Sequence, residues 1–156
     1  MCPKIPPFPP REFATIDEVL AGGAPGHSLD DSGTERGILL PGEPAENPGK
    51  VYIVGGGPGA ADLLTLRAAR ALSEADVVLL DHLAPQEYGE YAPNALIVDV
   101  GKVPGKHAVP QSRIQQLMID YALSGKTVVR LKGGDPYVYG RGAEELDACI
   151  AAGLEA

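Results

Sequence analysis

Arg130-Leu131-Lys132-Gly133-Gly134-Asp135-Pro136-Tyr137-Val138-Tyr139-Gly140-Arg141-Gly142 is the stretch that decides the fold. Four glycines, one carboxylate, one proline and three cations fall within these thirteen residues, directly behind the strand-like Thr127-Val128-Val129. A strand that empties into Gly-Gly-Asp-Pro brings bare backbone close to something small and polar. Glycine permits that approach, and proline fixes the exit direction. A second glycine turn, Gly55-Gly56-Gly57-Pro58-Gly59, follows an earlier apolar run, Val51–Val54. Two such loops on one α/β frame predict a ligand site at the carboxyl ends of parallel strands.

Outward from these loops, strand and helix patterns alternate. Asp62 stands where it would cap a helix carrying Leu63, Leu64, Leu66, Ala69 and Leu72 at near-helical spacing. Val77–Leu80 is a second strand that ends at Asp81, and Leu96–Val100 is a third that ends in Gly101-Lys102. Ser112 is the expected cap of a helix bearing Ile114, Leu117, Met118, Tyr121 and Ala122, with Gly125 as its stop. Thr127–Leu131 is a fourth strand. Gly142–Ala152 is a last helix, stopped at Gly153. Strands that are apolar throughout and alternate with helices predict an α/β domain with a parallel sheet and helices on both faces. The pattern then breaks off where a further strand is due, so the chain reads as cut.

Residues 1–49 differ in character. They hold nine of the fifteen prolines, including Pro6-Pro7-Phe8-Pro9-Pro10, and they predict a disordered Pro/Gly-rich leader before a domain over 50–156. A short helix over Thr15–Leu20, capped by Thr15, is one local exception. A second reading makes the leader a peptide that docks on the folded part or on a proline-binding partner.

Composition narrows the function classes. The net charge is −8, and residues 1–50 and 51–156 each carry −4 (four Lys/Arg against eight Asp/Glu, then nine against thirteen). An acidic chain argues against nucleic acid as the partner. Cys2 and Cys149 form neither a disulfide framework nor a metal-ligand spacing, which fits a reducing, cytoplasmic setting. Cys149 sits in an apolar helical stretch and reads as a small core side chain. No apolar run approaches the ~20 residues of a membrane span. The N-terminus has no signal-peptide pattern, and its acidic residues argue against a transit peptide.

The first glycine loop, taken alone, fits three readings: pure turn geometry, a dinucleotide site, or another adenosine ligand. Gly55, Gly57 and Ala60 match G-x-G-x-x-G/A, and Asp81 lies 21 residues past Ala60, where a ribose-binding acid would stand. Against the dinucleotide reading, Pro58 removes an amide from the turn, and Asp62 at the helix start would repel a pyrophosphate.

Both loops together, with the segments between them, resemble the tetrapyrrole methylase family at its uroporphyrinogen-methylating branch. The resemblance rests on Val54–Gly59, Asp62–Ala68, Ala75–Asp81, Val100-Gly101-Lys102, Gly105-Lys106-His107, Val109-Pro110-Gln111 and, above all, Arg130–Gly142. It covers residues 50–153 and corresponds to the N-terminal domain of the family protein only. It implies S-adenosylmethionine as methyl donor. It also implies two successive methylations of uroporphyrinogen III to precorrin-2, on the route to sirohaem and cobalamin. Carried over by position, Pro58, Gly133, Gly134, Asp135 and Val138 match cofactor-binding residues. Asp81 matches the proton acceptor and Lys102 the proton donor. For Asp81 the bland alternative is a turn cap, and for Lys102 a solvated loop lysine.

The implied substrate carries eight carboxylates. Lys102, Lys106, His107, Arg113, Arg130, Lys132 and Arg141 form a cationic set on an otherwise acidic chain, available in principle to pair with them. Arg141 alternatively starts the last helix. Of Tyr137 and Tyr139, two apart, one is expected in the core. His82 and His107 have no paired partner, so no metal site is expected.

Departures from the family pattern are Ala60 in place of Asp, Leu80 in place of Tyr, and tyrosines at 137 and 139 in place of Phe. The second domain is missing. Its absence predicts an exposed apolar patch near the strand ends and no turnover by this chain alone. The family is also homodimeric. The competing classes are a dinucleotide-binding module of an oxidoreductase, which leaves Arg130–Gly142 unexplained, and a non-catalytic fragment.

Overall fold

The computed structural model describes residues 14–15, 41–81, 83–84, 86–101 and 109–156. Five strands form one sheet: β1 Ala14–Thr15, β2 Val51–Gly55, β3 Val77–Leu80, β4 Leu96–Asp99 and β5 Val128–Lys132. Every pairing is parallel, and the strand order is β1-β4-β3-β5-β2. The helices are α1 Leu66–Ser73, α2 Gln111–Leu123 and α3 Gly142–Ala151, with 3-10 turns at Ala61–Leu63 and Gln86–Tyr91. The expected α/β architecture, with a parallel sheet covered on both faces, is present.

Strand alternation sends successive side chains to opposite layers. On one face Val51, Leu79, Val98 and Val128 pack against Ile114, Leu117 and Tyr121 of α2 and Cys149 of α3. On the other, Val54, Val78, Leu80, Val129 and Leu131 pack against Ala68, Ala71 and Leu72 of α1 and against Tyr88. Leu79, Val98 and Leu131 are wholly buried, each contributing about 1.5–3 kcal/mol of transfer free energy. β5 lies inside the sheet between β3 and β2 and has no exposed residue along its length.

The strand order rejects the dinucleotide reading. In a mononucleotide-binding βαβ unit the glycine-loop strand and the strand with the ribose acid are neighbours. Here β5 is inserted between β2 and β3, so Asp81 lies two strands from the first glycine loop.

Two helix caps differ from expectation. Asp62 does not cap α1: it lies in the 3-10 turn Ala61–Leu63, and the backbone turns extended at Leu64 before the helix begins. Thr65 is the cap, its Oγ1 accepting from the Ala68 amide at 3.1 Å. Leu63 and Leu66 consequently face solvent instead of the core. The N-cap of α2 is Pro110, so Ser112 falls inside the first turn and makes no cap bond. The glycine stops hold: Gly125 and Gly153 take left-handed φ values of 85° and 78°.

Of residues 1–49, the structure describes 14–15 and 41–49. Ala14–Thr15 pair with Val98–Asp99 as an edge strand, and the rest of the expected Thr15–Leu20 helix lies outside the described residues. The edge of β4 offers unpaired backbone groups that an extended segment satisfies. Nearer the domain, Ala45 and Gly49 donate to the carbonyls of Leu123 and Ala122 at 2.8 and 2.7 Å. They satisfy the orphan carbonyls at the end of α2. Gly49 lies so close to the chain that a Cβ there would stand 2.1 Å from the Lys126 carbonyl oxygen. Backbone contacts with the domain therefore begin ahead of residue 50. The Pro6–Pro10 run lies outside the described residues.

Candidate functional site

All strands point the same way, so the segments after β2, β3 and β5 emerge on one rim. After β2, Gly57 and Gly59 take positive φ values of 70° and 128° on either side of the exposed Pro58. After β5, Gly134 takes a φ of 66°. The two loops touch: the Gly134 amide donates to the Gly57 carbonyl at 3.0 Å, an isolated antiparallel bridge. The Gly56 amide donates to the Lys132 carbonyl at 2.7 Å. From below, the buried Tyr88 donates its hydroxyl to the Gly56 carbonyl, with its ring against Gly56. The first loop is thus fixed from two sides.

The second loop is shaped by its own backbone. Asp135 Oδ1 accepts from the Tyr137 amide at 2.8 Å, and the Pro136 carbonyl accepts from the Gly142 amide at 2.9 Å. A Cβ on Gly140 or Gly142 would collide with that carbonyl, at 2.5 and 2.6 Å. The tight return leaves Tyr139 and Arg141 at φ values of 55° and 57°, a conformation that costs non-glycine residues about 1 kcal/mol or more. Tyr137, Val138 and Tyr139 all point outward. Neither tyrosine is in the core, contrary to expectation, because the loop is not extended and the alternation argument does not apply to it.

Beneath the rim is a buried charge cluster. Arg130 and Lys132 lie on the α3 face of β5 and are almost wholly buried, and Glu145 of α3 is completely so. Glu145 Oε1 accepts from Arg130 Nε at 3.3 Å and from Gln111 Nε2 at 2.7 Å. Lys132 Nζ donates to both Glu145 oxygens, at 3.2 and 3.1 Å. Arg130 Nη1 donates to the Leu79 carbonyl at 3.2 Å, and Nη2 lies 3.5 Å from Asp81 Oδ2. Burial, and then the neighbouring Arg130, lower the Lys132 ammonium from its ordinary range.

Pro58, Gly133, Gly134, Asp135 and Val138 therefore gather on the rim formed by the joined loops. Asp81 stands beside them at the end of β3, its side chain 32% exposed and its amide donating to Leu131 O at 3.0 Å. Lys102, Lys106, His82 and His107 lie outside the described residues. Arg130 and Lys132 leave the expected substrate-facing cationic set, since both are spent on Glu145 inside the domain. Arg141 caps α3 and forms a bidentate pair with Glu144 at 2.9 and 2.6 Å. Among the described residues no group of His, Cys, Asp and Glu suits a metal ion. No helix among them is long and apolar enough to cross a membrane.

Glu145 and Tyr88 were not singled out from sequence, and Gln111 only as part of the Val109-Pro110-Gln111 motif. One signal was available for Glu145. Gly142, Glu145 and Cys149 fall at i, i+3 and i+7, the buried seam of α3, so a carboxylate occupies a core position and demands buried cations.

Fold and rim define a class: a parallel α/β domain that presents two joined glycine loops and a carboxylate at its strand ends. The chain belongs to the tetrapyrrole methylase family, since the pattern described as Tetrapyrrole (Corrin/Porphyrin) Methylases matches residues 50–156. It is 47% identical over 107 residues to the uroporphyrinogen-III C-methyltransferase of Priestia megaterium, covering 68% of this chain and 45% of that protein. It is 46% identical over 143 residues to the siroheme synthase of Pseudomonas fluorescens SBW25, covering 88% of this chain and 31% of that one. The second match is longer than the 50–156 segment, so it reaches into the leader. Among solved structures, uroporphyrin-III C-methyl transferase from Thermus thermophilus, complexed with S-adenyl homocysteine, superposes with a TM-score of 0.60 at 45% identity. That alignment covers 69% of this chain and 45% of the Thermus protein. The chain spans less than half the length of these relatives.

Proposed function

We propose that this chain carries the glycine-loop half of an S-adenosylmethionine-dependent C-methyltransferase acting on uroporphyrinogen III. The observation that carries the reading is the Gly134–Gly57 bridge, which makes one continuous rim of two loops that are remote in sequence. The rim suits the cofactor. Gly134 is exposed and faces open space, and its left-handed backbone leaves the peptide bare. When bound, S-adenosylmethionine supplies an electrophilic sulfonium methyl to a pyrrole carbon. The Pro58 turn and Gly133, Gly134, Asp135 and Val138 would hold it, and their contribution is orientation.

Methylation at a ring carbon must be followed by loss of a proton. Asp81 is a partly exposed carboxylate beside the rim and takes that proton in this reading. Lys102, two residues past the buried Val100 that follows β4, is the proposed donor. Residues 50–156 serve as the N-terminal domain of a two-domain protein that is cytoplasmic and homodimeric. The exposed Leu63, Leu83, Tyr137, Val138 and Tyr139 support a missing cover, and the chain alone should not turn over.

Ultraviolet cross-linking of labelled S-adenosylmethionine to the chain, followed by peptide mapping, tests the assignment. Label is expected on the peptides holding 55–60 and 133–139. Label confined to other peptides contradicts it.

A further inference from the structure

Arg130, Lys132, Glu145 and Asp81 comprise two cations and two carboxylates on one face of the sheet. The cations do not divide themselves evenly. Glu145, without solvent exposure, accepts from both of them and from Gln111. Among the described residues, the Asp81 side chain receives Arg130 Nη2 alone, at 3.5 Å, against 3.3 Å from Arg130 and 3.1 Å from Lys132 to Glu145. Asp81 is thus the second-choice partner, and its carboxylate remains partly in solvent.

A buried ion cluster is weak evidence for stability, because apolar residues of similar volume often serve as well. This one has a particular position. The Lys132 carbonyl holds the first glycine loop, and the Lys132 stem lies under Gly140 of the second. Arg130 crosses to β3 through the Leu79 carbonyl. One carboxylate on α3 therefore pairs both cations that lie beneath the rim.

We propose that Glu145 is a positioning residue for Asp81: by neutralising Arg130 and Lys132 from the helix side, it keeps Asp81 in a loose pair at the rim, where its carboxylate stays free to accept a proton. The functional half of this statement rests on reading Asp81 as the proton acceptor. If Glu145 lost its charge, two buried cations would face a single carboxylate, and Asp81 would be drawn inward.

Crystal structures of Glu145→Gln, Glu145→Asp and Lys132→Met test the proposal. Glu145→Gln should shorten the Arg130–Asp81 separation from 3.5 Å to under about 3.0 Å, with Asp81 less exposed. Glu145→Asp, which restores the charge, should restore the loose pair. Lys132→Met removes one cation and should act in the opposite sense, lengthening the separation. If Glu145→Gln fails to fold, Lys132→Met decides alone. An unchanged separation in the folded variants overturns the proposal. So does equal contraction in Gln and Asp variants. Asp81→Asn, assayed for methyl transfer to uroporphyrinogen III in a protein extended through the second domain, separately tests the acceptor reading. Full activity there would remove the functional half and leave the distances standing.

Discussion

The Gly134 amide and the Gly57 carbonyl, 3.0 Å apart, join two loops that are 77 positions apart in the chain. Both loops exist in their observed form only because β5 is inserted beside β2. The hydrogen bond therefore converts strand order into a continuous rim.

Separating the loops should cost both stability and ligand affinity. A Cβ at Gly55 would stand 2.7 Å from the Gly134 carbonyl oxygen and 2.9 Å from Pro136 Cδ. Gly55→Ala must push the second loop away, at an overpacking cost of about 1–3 kcal/mol. We expect S-adenosylhomocysteine affinity to fall at least about tenfold, measured by calorimetry, while the variant stays folded by circular dichroism. Unchanged affinity would mean that loop contact is irrelevant to binding.

Glu145→Ala should be severely destabilising, since it leaves Arg130 and Lys132 buried without their carboxylate. Breaking a buried pair in this way costs about 3–5 kcal/mol. Glu144→Ala, one residue away but exposed in its pair with Arg141, should cost far less, because solvent screens the pair. Urea unfolding of both variants gives the comparison.

The cap of α1 offers a similar contrast. Thr65→Ala removes the acceptor of the Ala68 amide and should cost about 1 kcal/mol. Asp62→Ala makes no such loss, because Asp62 lies ahead of the helix. Equal effects in thermal melts would place the helix start at Asp62 after all.

The buried Tyr121 hydroxyl has no hydrogen-bond partner among the described residues, and burial pushes its phenol from 10.0 up to about 12. The folded state keeps a proton that the unfolded chain releases above pH 10, so stability falls as pH rises from 10 towards 12. Tyr121→Phe should flatten that part of the profile. At pH 7 it should be neutral or stabilising by about 1 kcal/mol. Some alkaline slope remains from Cys149, whose thiol burial pushes up from 9.0 to about 11 in the same sense. Chemical denaturation between pH 7 and 11.5 reads both effects. An unaltered slope in the Phe variant would contradict the assignment.

Four of the five strand positions were legible in the sequence, because each is a short, mainly apolar run ended by glycine or aspartate; β1 was not. Val77–Leu80 falls at the bounds expected. Parallel pairing followed from apolarity on both faces. Strand order was not legible, since the insertion of β5 between β2 and β3 is a tertiary choice that no local pattern records. Caps failed where two acceptable residues competed: Asp62 and Thr65 both suit a helix start, and the 3-10 turn decided between them. The rim residues were found through glycine spacing and family resemblance. The charge cluster beneath was misread, because Arg130 and Lys132 look like surface cations until Glu145 is seen in the α3 seam. The leader's contacts were hidden by its prolines, although Ala45 and Gly49 bind the end of α2 through backbone alone.

The central claim is that the joined loops are an S-adenosyl cofactor site. Isothermal calorimetry of this chain with S-adenosylhomocysteine, run beside NAD, tests it most directly. The account predicts saturable one-site binding of S-adenosylhomocysteine and no heat with NAD. Binding of NAD in its place, or of neither, would contradict it.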